Sequence, residues 1–294
     1  MNDNETRIMK NDLSHIENVV FAGGGNRCFW QAGLWDVIAE PLNLKPKRFV
    51  SVSAGSAMSC GILAGQSHES LRIVKATTTS NAKNRYMSNL FTSEPVFPHE
   101  RLYREMVLEI MHGEAFKQLK NGPPNAVQVA RIPRWLGPKS AVAVGLMAYQ
   151  LEKKLKEPVH PTYGRKLGFK SEFINAGDCN SPEELTDLIL SSSCTPPMTP
   201  IMYRNKRPVL DGGLFDNAPV HGVPENSGDT LVLLTRPYRF IPPVAGRQYL
   251  SPSEKPPVSS WDYTNPKGIQ DTFDLGRRDG EALLKAMHSG QIVK

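Results

Sequence analysis

The chain is poor in the residues that staple small secreted proteins together. Four of its 294 residues are cysteine, at positions 28, 60, 179 and 194. No Cys-x-x-Cys pair occurs, and no histidine stands at zinc-finger spacing from them. A disulfide framework would be denser in a far shorter chain, so these read as mostly buried thiols in a reducing compartment. Long apolar runs are missing too. The nearest candidate, Ala141–Tyr149, is far shorter than the roughly 18 residues of a membrane span. The polar start, MNDNETRIMKNDLSHIENVV, has no apolar h-region and no Ala-x-Ala cleavage site. The expectation is a cytoplasmic protein, with peripheral association at a membrane and signal-free secretion both compatible. The histidines form no His-Glu-x-x-His pair, which argues against a metallohydrolase. No EF-hand spacing of carboxylates occurs, and no metal or cofactor is expected. Charge of one sign does not dominate: 35 basic against 29 acidic residues leave +6. That excess suits an anionic lipid surface as well as nucleic acid and alone decides nothing; no nucleic-acid partner is expected.

What is present describes an enzyme-like domain. The length allows one or two domains and a core that buries about three quarters of the extended surface. Glycine (23) and proline (24) are modestly enriched, which suits many ordered loops. Residues 1–17 read as a polar leader and 18–294 as a single domain. Val19–Ala22 is a short apolar run that stops at Gly23-Gly24-Gly25. Phe29, Leu34, Trp35 and Ile38 then repeat at helical spacing until Pro41. Phe49–Val52 is a second strand, Ser53-Ala54-Gly55 a turn, and Ala57–Ala64 a helix of small residues. Two strand–tight loop–helix units in succession are the grammar of an α/β domain with a mostly parallel, buried sheet.

Further along, His99–Leu119 reads as a helix, Ala126–Ile132 as a strand, and Ala141–Lys156 as either strand plus helix or one helix. Ser181, Pro182 and Glu184 form an N-cap, N1 and capping-box set, followed by a buried stripe of Leu185, Leu188, Ile189 and Ser192. Thr230–Thr235 is strand-like. Residues 237–266 are proline-rich and read as an ordered loop or lid, and Leu275–Met287 as the last helix.

Three short segments carry chemistry. In Phe21-Ala22-Gly23-Gly24-Gly25-Asn26-Arg27, consecutive glycines between strand and helix let backbone N–H groups face a cavity beside a helix N-terminus. Such a site suits a phosphate or the oxyanion of a tetrahedral intermediate. It lacks the Rossmann spacing, since position 28 is Cys, and no Walker Lys–Ser/Thr pair follows. In Ser51-Val52-Ser53-Ala54-Gly55, a serine flanked by small residues between strand and helix has the form of a nucleophile elbow, with Ser51 at the usual first glycine. Asp211-Gly212-Gly213 follows an apolar dipeptide, and Asp211 is open to roles as metal ligand, triad member, direct base or plain turn residue.

Taken in this order, the three segments resemble the patatin-like phospholipase family, in its bacterial form. The resemblance runs through roughly residues 17–235, including Ser191–Pro197 and the Asn217-Ala218-Pro219 that follows Asp211-Gly212-Gly213. It implies a three-layer α/β/α sandwich with a mostly parallel central sheet. It places the nucleophile at Ser53 and the base at Asp211, and the oxyanion motif at Gly23, Gly24, Gly25 and Arg27. Cys28 stands where the motif has a further glycine, facing either the site or the core. The implied reaction is hydrolysis of phospholipid or lysophospholipid esters through an acyl-enzyme. In it Asp211 takes the Ser53 proton, and N–H groups of Gly24, Gly25 and Ala54 hold the oxyanion. Gly55, Gly212 and Gly213 support the turns, and Arg27 orders the loop, meets a phosphate or forms a salt bridge on the first helix.

A Ser53–Asp211–His221 triad is disfavoured, because ten residues leave no strand-plus-loop unit between Asp211 and His221. Alternatives are an esterase or thioesterase on soluble esters, and a non-catalytic regulatory protein on the same fold. The most basic stretch, residues 117–170, holds 11 Lys/Arg against Glu152 and Glu157. It is either a solvated face or one that meets anionic headgroups.

Overall fold

A computed structural model describes residues 13–145, 147, 159–241 and 243–289. It has a mixed α/β architecture, with a central sheet flanked by helices. The sheet runs in the order β5-β6-β3-β2-β1-β7-β8, with β4 also paired to β3. In chain order the strands are β1 (Ile16–Phe21), β2 (Arg48–Val52), β3 (Asn125–Arg131), β4 (Lys170–Asn175), β5 (Met202–Arg204), β6 (Arg207–Asp211), β7 (Asp229–Leu233) and β8 (Arg247–Leu250). The five strands β3, β2, β1, β7 and β8 are parallel, while β4, β5 and β6 pair antiparallel. The helices are α1 (Phe29–Ile38), α2 (Ala54–Leu63), α3 (Ser67–Ser80), α4 (His99–Ile110), α5 (Glu114–Asn121), the single turn α6 (Tyr163–Lys166), α7 (Pro182–Ser192) and α8 (Pro266–His288). Helical turns also occupy residues 138–145.

Alternation along the strands separates two apolar faces. Val19, Phe21, Phe49, Val127 and Val129 enter the large core against α1 to α5, α7 and α8. Val20, Ala22, Val50, Val232 and Leu234 pack on the other side against Val159, Ala218 and Val220. The two faces are therefore unequal. Among the described residues, the long helices share one face, and shorter pieces cover the other. Nearly continuous burial of β1 and β7 follows from this two-sided packing.

Several boundaries differ from the sequence reading. Ile16 and Glu17, grouped with the leader, belong to β1, and Leu13 is buried beside them; residues 1–12 lie outside the described ones. The helix expected over His99–Leu119 is two helices, broken where Gly113 takes φ +60°. The 237–266 segment is not loop throughout, because β8 lies within it and extends the parallel sheet. At Ser181 the cap forms, with Ser181 Oγ accepting from Glu184 N–H at 3.3 Å, but the Glu184 carboxylate reaches one residue further back, to Asn180 N–H. Of Ala141–Lys156, only residues 141–145 and 147 are described, and they are helical. The last helix is longer than expected because Asn265 caps it, accepting from Gly268 N–H at 2.7 Å.

The longest helix, α8, crosses α1 where both present glycine. A Cβ on Gly33 would strike the Phe273 carbonyl, and one on Gly276 the Trp30 carbonyl. Backbone-to-backbone contact holds α1, and with it the loop that leads into α1, against the rest of the core. Gly276→Ala is expected to destabilise the protein by about 1–3 kcal/mol through overpacking. Gly137→Ala, where a Cβ meets nothing within 4 Å, should stay within about 0.5 kcal/mol. Urea unfolding of both variants checks this.

Candidate active site

The sheet brings the three segments together through β3. On β3, Val52 of β2 sits opposite Gln128, and Asp211 of β6 sits opposite Val129. Two strands far apart in sequence thus end at consecutive registers, and their following turns meet. Ser53 stands at φ 55° and ψ −138°, a conformation rare for a residue with a Cβ. Its N–H donates to Ser192 Oγ at 2.7 Å, and its carbonyl accepts from Ser56 N–H at 2.9 Å. Ser192 in turn donates to the Gln128 carbonyl, so the strained turn is tied to both α7 and β3. Gly55 lies against the carbonyls of Phe21 and Ala22, where a side chain has no room.

Ser53 Oγ donates to Asp211 Oδ2 at 2.7 Å. Asp211 also accepts from Gly213 N–H at 2.7 Å and from Thr195 Oγ1 at 3.2 Å. Burial is the largest influence on this carboxyl and pushes its pKa up to about 6, while those three donors pull the other way. Gly212 packs on the Gln128 carbonyl, and Gln128 Nε2 donates to the carbonyls of Gly212 and Asp216, so the turn after Asp211 is fixed from beneath.

The glycine loop closes the third side. Gly25 has φ +59°, and a Cβ there would run into the Ser260 backbone, so the position requires glycine twice over. Gly23 approaches Ser53 closely, its carbonyl accepting from Asn217 Nδ2 at 3.0 Å and Thr235 Oγ1 at 2.7 Å. Arg27 Nε donates to the Gly24 carbonyl at 3.1 Å. Among the described residues, the N–H groups of Gly24, Gly25 and Ala54 have no acceptor. An open cavity is lined by Ser53, Ala54, Gly25 and Asn26, and by apolar side chains of α2, α3 and α4. Gly24 and Asp211 lie outside its lining.

The two departures from the family motif are resolved locally. Ser51 is buried and donates to Asn125 Oδ1 at 2.8 Å, so its hydroxyl is satisfied. Cys28 turns into the core, its thiol near the Ala22 carbonyl and pushed up to about 12 by burial. His221 lies 3.4 Å from Asp216 and packs between the rings of Phe173 and Phe215. Of the 11 basic residues in 117–170, Lys117 pairs with Glu114, Lys120 donates to the Cys179 carbonyl, Arg131 pairs with Glu172 and Arg165 with Asp216. Those four serve the fold; Lys153, Lys154 and Lys156 lie outside the described residues.

A family model, patatin-like phospholipase, matches residues 19–223. The chain belongs to that family. Membership supports hydrolase activity on acyl esters of lipids. Among solved structures, VipD from Legionella pneumophila is similar over 93% of this chain and 67% of its own, at 12% identity and a TM-score of 0.46. No curated protein matches the chain.

The raised Asp211 carboxyl carries a stability signature. An unfolded Asp titrates near 3.8 and the folded one near 6, so the folded state holds the proton more tightly between those values. The associated stability is full below about pH 4 and is lost as pH rises through 6, a loss on the order of 3 kcal/mol. Asp211→Asn removes the ionisation. Its oxygen keeps the Gly213 N–H, and its NH₂ faces Ser53 and Thr195. The variant should therefore be more stable than wild type at pH 8, with the difference shrinking at pH 5. Denaturant titrations at both pH values check this; a difference that ignores pH contradicts it.

Proposed function

We propose that the protein is a serine acyl hydrolase that cleaves carboxylic ester bonds of phospholipids and lysophospholipids, with Ser53 as nucleophile and Asp211 as base. The observation that carries this reading is the 2.7 Å hydrogen bond from Ser53 Oγ to Asp211 at the wall of an apolar cavity. As the Ser53 oxygen attacks the ester carbonyl, its proton passes to Asp211. The free N–H groups of Gly25 and Ala54 receive the developing oxyanion, and that of Gly24 completes the set. The alcohol leaves with the proton from Asp211. Water then attacks the Ser53 ester, Asp211 takes its proton, and the acid departs as Ser53 regains a hydrogen. Met58, Val74, Met106, Val107 and Ile110 extend the cavity away from Ser53 and suit an acyl chain rather than a polar headgroup. Among the described residues no helix is long and apolar enough to cross a membrane.

A carboxylate is an intrinsically weak base toward a hydroxyl. Burial offsets part of this by raising its pKa to about 6, and the backbone donors stabilise the charge that forms. The hydrolysis rate should rise with pH through about 6 and then level off, because only ionised Asp211 accepts the proton. Ser53→Ala should abolish hydrolysis while the fold persists, and Asp211→Asn should lower turnover by about 10²–10⁴. His221→Ala should change turnover by less than about threefold, since His221 faces Asp216. Ester hydrolysis assays with a fluorophosphonate label mapped by peptide mass spectrometry check the set. Labelling at another serine, or an equal loss in His221→Ala with both proteins folded, contradicts the assignment.

A further inference from the structure

Between α3 and α4 the chain spends three large apolar side chains on solvent. Met87 is 50% exposed, Leu90 58% and Phe91 93%, and their short 3-10 turn, Met87–Phe91, has no buried residue. Single exposed apolar residues are ordinary, but three within five residues form a patch that folding alone does not explain. The turn is also braced. Tyr86 N–H donates to the Val96 carbonyl at 2.8 Å, Asn89 N–H to the Tyr86 carbonyl at 3.1 Å, and Asn89 Nδ2 to the Pro95 carbonyl at 3.0 Å. It is therefore presented in a defined shape.

Its base is anchored to the cavity wall. Asn81 Nδ2 donates to the Tyr263 carbonyl at 2.9 Å, Tyr263 N–H to Asn84 Oδ1 at 2.7 Å, and Asn84 Nδ2 to Asp262 at 2.9 Å. Tyr263 and its neighbour Trp261 line the cavity that holds Ser53. Lys83 and Arg85 stand exposed beside the turn, without an ion-pair partner among the described residues, and Glu94 is the sole acid between residues 81 and 98. Apolar tip, basic collar and cavity wall form one continuous unit.

We propose that this turn is the membrane-docking element. Met87, Leu90 and Phe91 enter the headgroup–acyl boundary of an anionic phospholipid bilayer, while Lys83 and Arg85 meet its phosphates. That seating holds the cavity at the interface, where an acyl chain passes into it without crossing water. The inference rests on the reading of the protein as a phospholipid hydrolase, and it shifts the lipid contact from residues 117–170, where several cations are engaged within the fold, to residues 83–91.

Flotation with vesicles of phosphatidylcholine and phosphatidylglycerol tests it. Leu90→Asp/Phe91→Asp should lower vesicle partitioning at least tenfold, with hydrolysis of vesicle phospholipid falling in parallel. Turnover of a short, soluble nitrophenyl ester should stay within twofold, which shows an intact fold and site. Lys83→Glu/Arg85→Glu should erase the preference for phosphatidylglycerol at low salt. Because the four native cysteines are buried, Ser88→Cys can be labelled alone with an environment-sensitive fluorophore, which should shift to the blue on vesicles. The proposal is overturned if wild type does not bind the vesicles, if Leu90→Asp/Phe91→Asp binds them unchanged, or if the Ser88 probe stays in water. An equal loss on vesicle and soluble substrates also overturns it, by making the turn part of the site. If wild type hydrolyses no ester at all, the proposed function fails, while partitioning still decides the docking role.

Discussion

Strand β3 is the frame on which the site depends. It pairs parallel with β2 and antiparallel with β6, and it ends both at neighbouring registers. A shift of one residue in either pairing would turn Ser53 or Asp211 to the other face of the sheet. The registers are fixed by burial: Val127 and Val129 face the large core, and Ala130 packs in a smaller cluster with Phe169, Leu210 and Leu214. Gln128 lies between them and clamps the turn after Asp211, while its own carbonyl receives Ser192. Hydrophobic packing thus sets the position, and a few buried polar side chains set the angle.

The same site stores cost. Ser53 holds an uncommon backbone conformation, and Asp211 keeps a carboxyl group in surroundings that disfavour its charge. Both are tolerated because neighbours over-determine them: Ser192 and Ser56 hold the turn, and Thr195, Gly213 and Ser53 hold the carboxyl. Stability surrendered at such a site is a usual accompaniment of function.

Much of this was legible locally. Apolar runs cut short by glycine reveal β1 and β2, and small residues after Ser53 reveal the tight turn into α2, because these features depend on neighbours in sequence. The partners that act across the sheet were not legible. Helical spacing puts Ser192 on the buried stripe of its helix, but nothing in the spacing shows that it receives the N–H of Ser53 from another layer. Thr195 on Asp211 and Asn217 on Gly23 are equally long-range or turn-dependent contacts without a periodic signal. The cavity wall was hidden for another reason. Helices α3 and α4 form it jointly with residues 261–263, and sequence spacing cannot show which helices lie side by side. The break at Gly113 escaped because the flanking apolar pattern continues on both sides.

The proposed reaction turns on a covalent ester at Ser53 whose formation needs Asp211. Acid quenching during the first turnovers with a phospholipid substrate, followed by mass analysis of the peptide containing Ser53, tests this directly. The prediction is an added acyl mass on Ser53 in the wild type and almost none in Asp211→Asn over the same interval. Acyl mass on a different residue, or equal accumulation in Asp211→Asn, would contradict it.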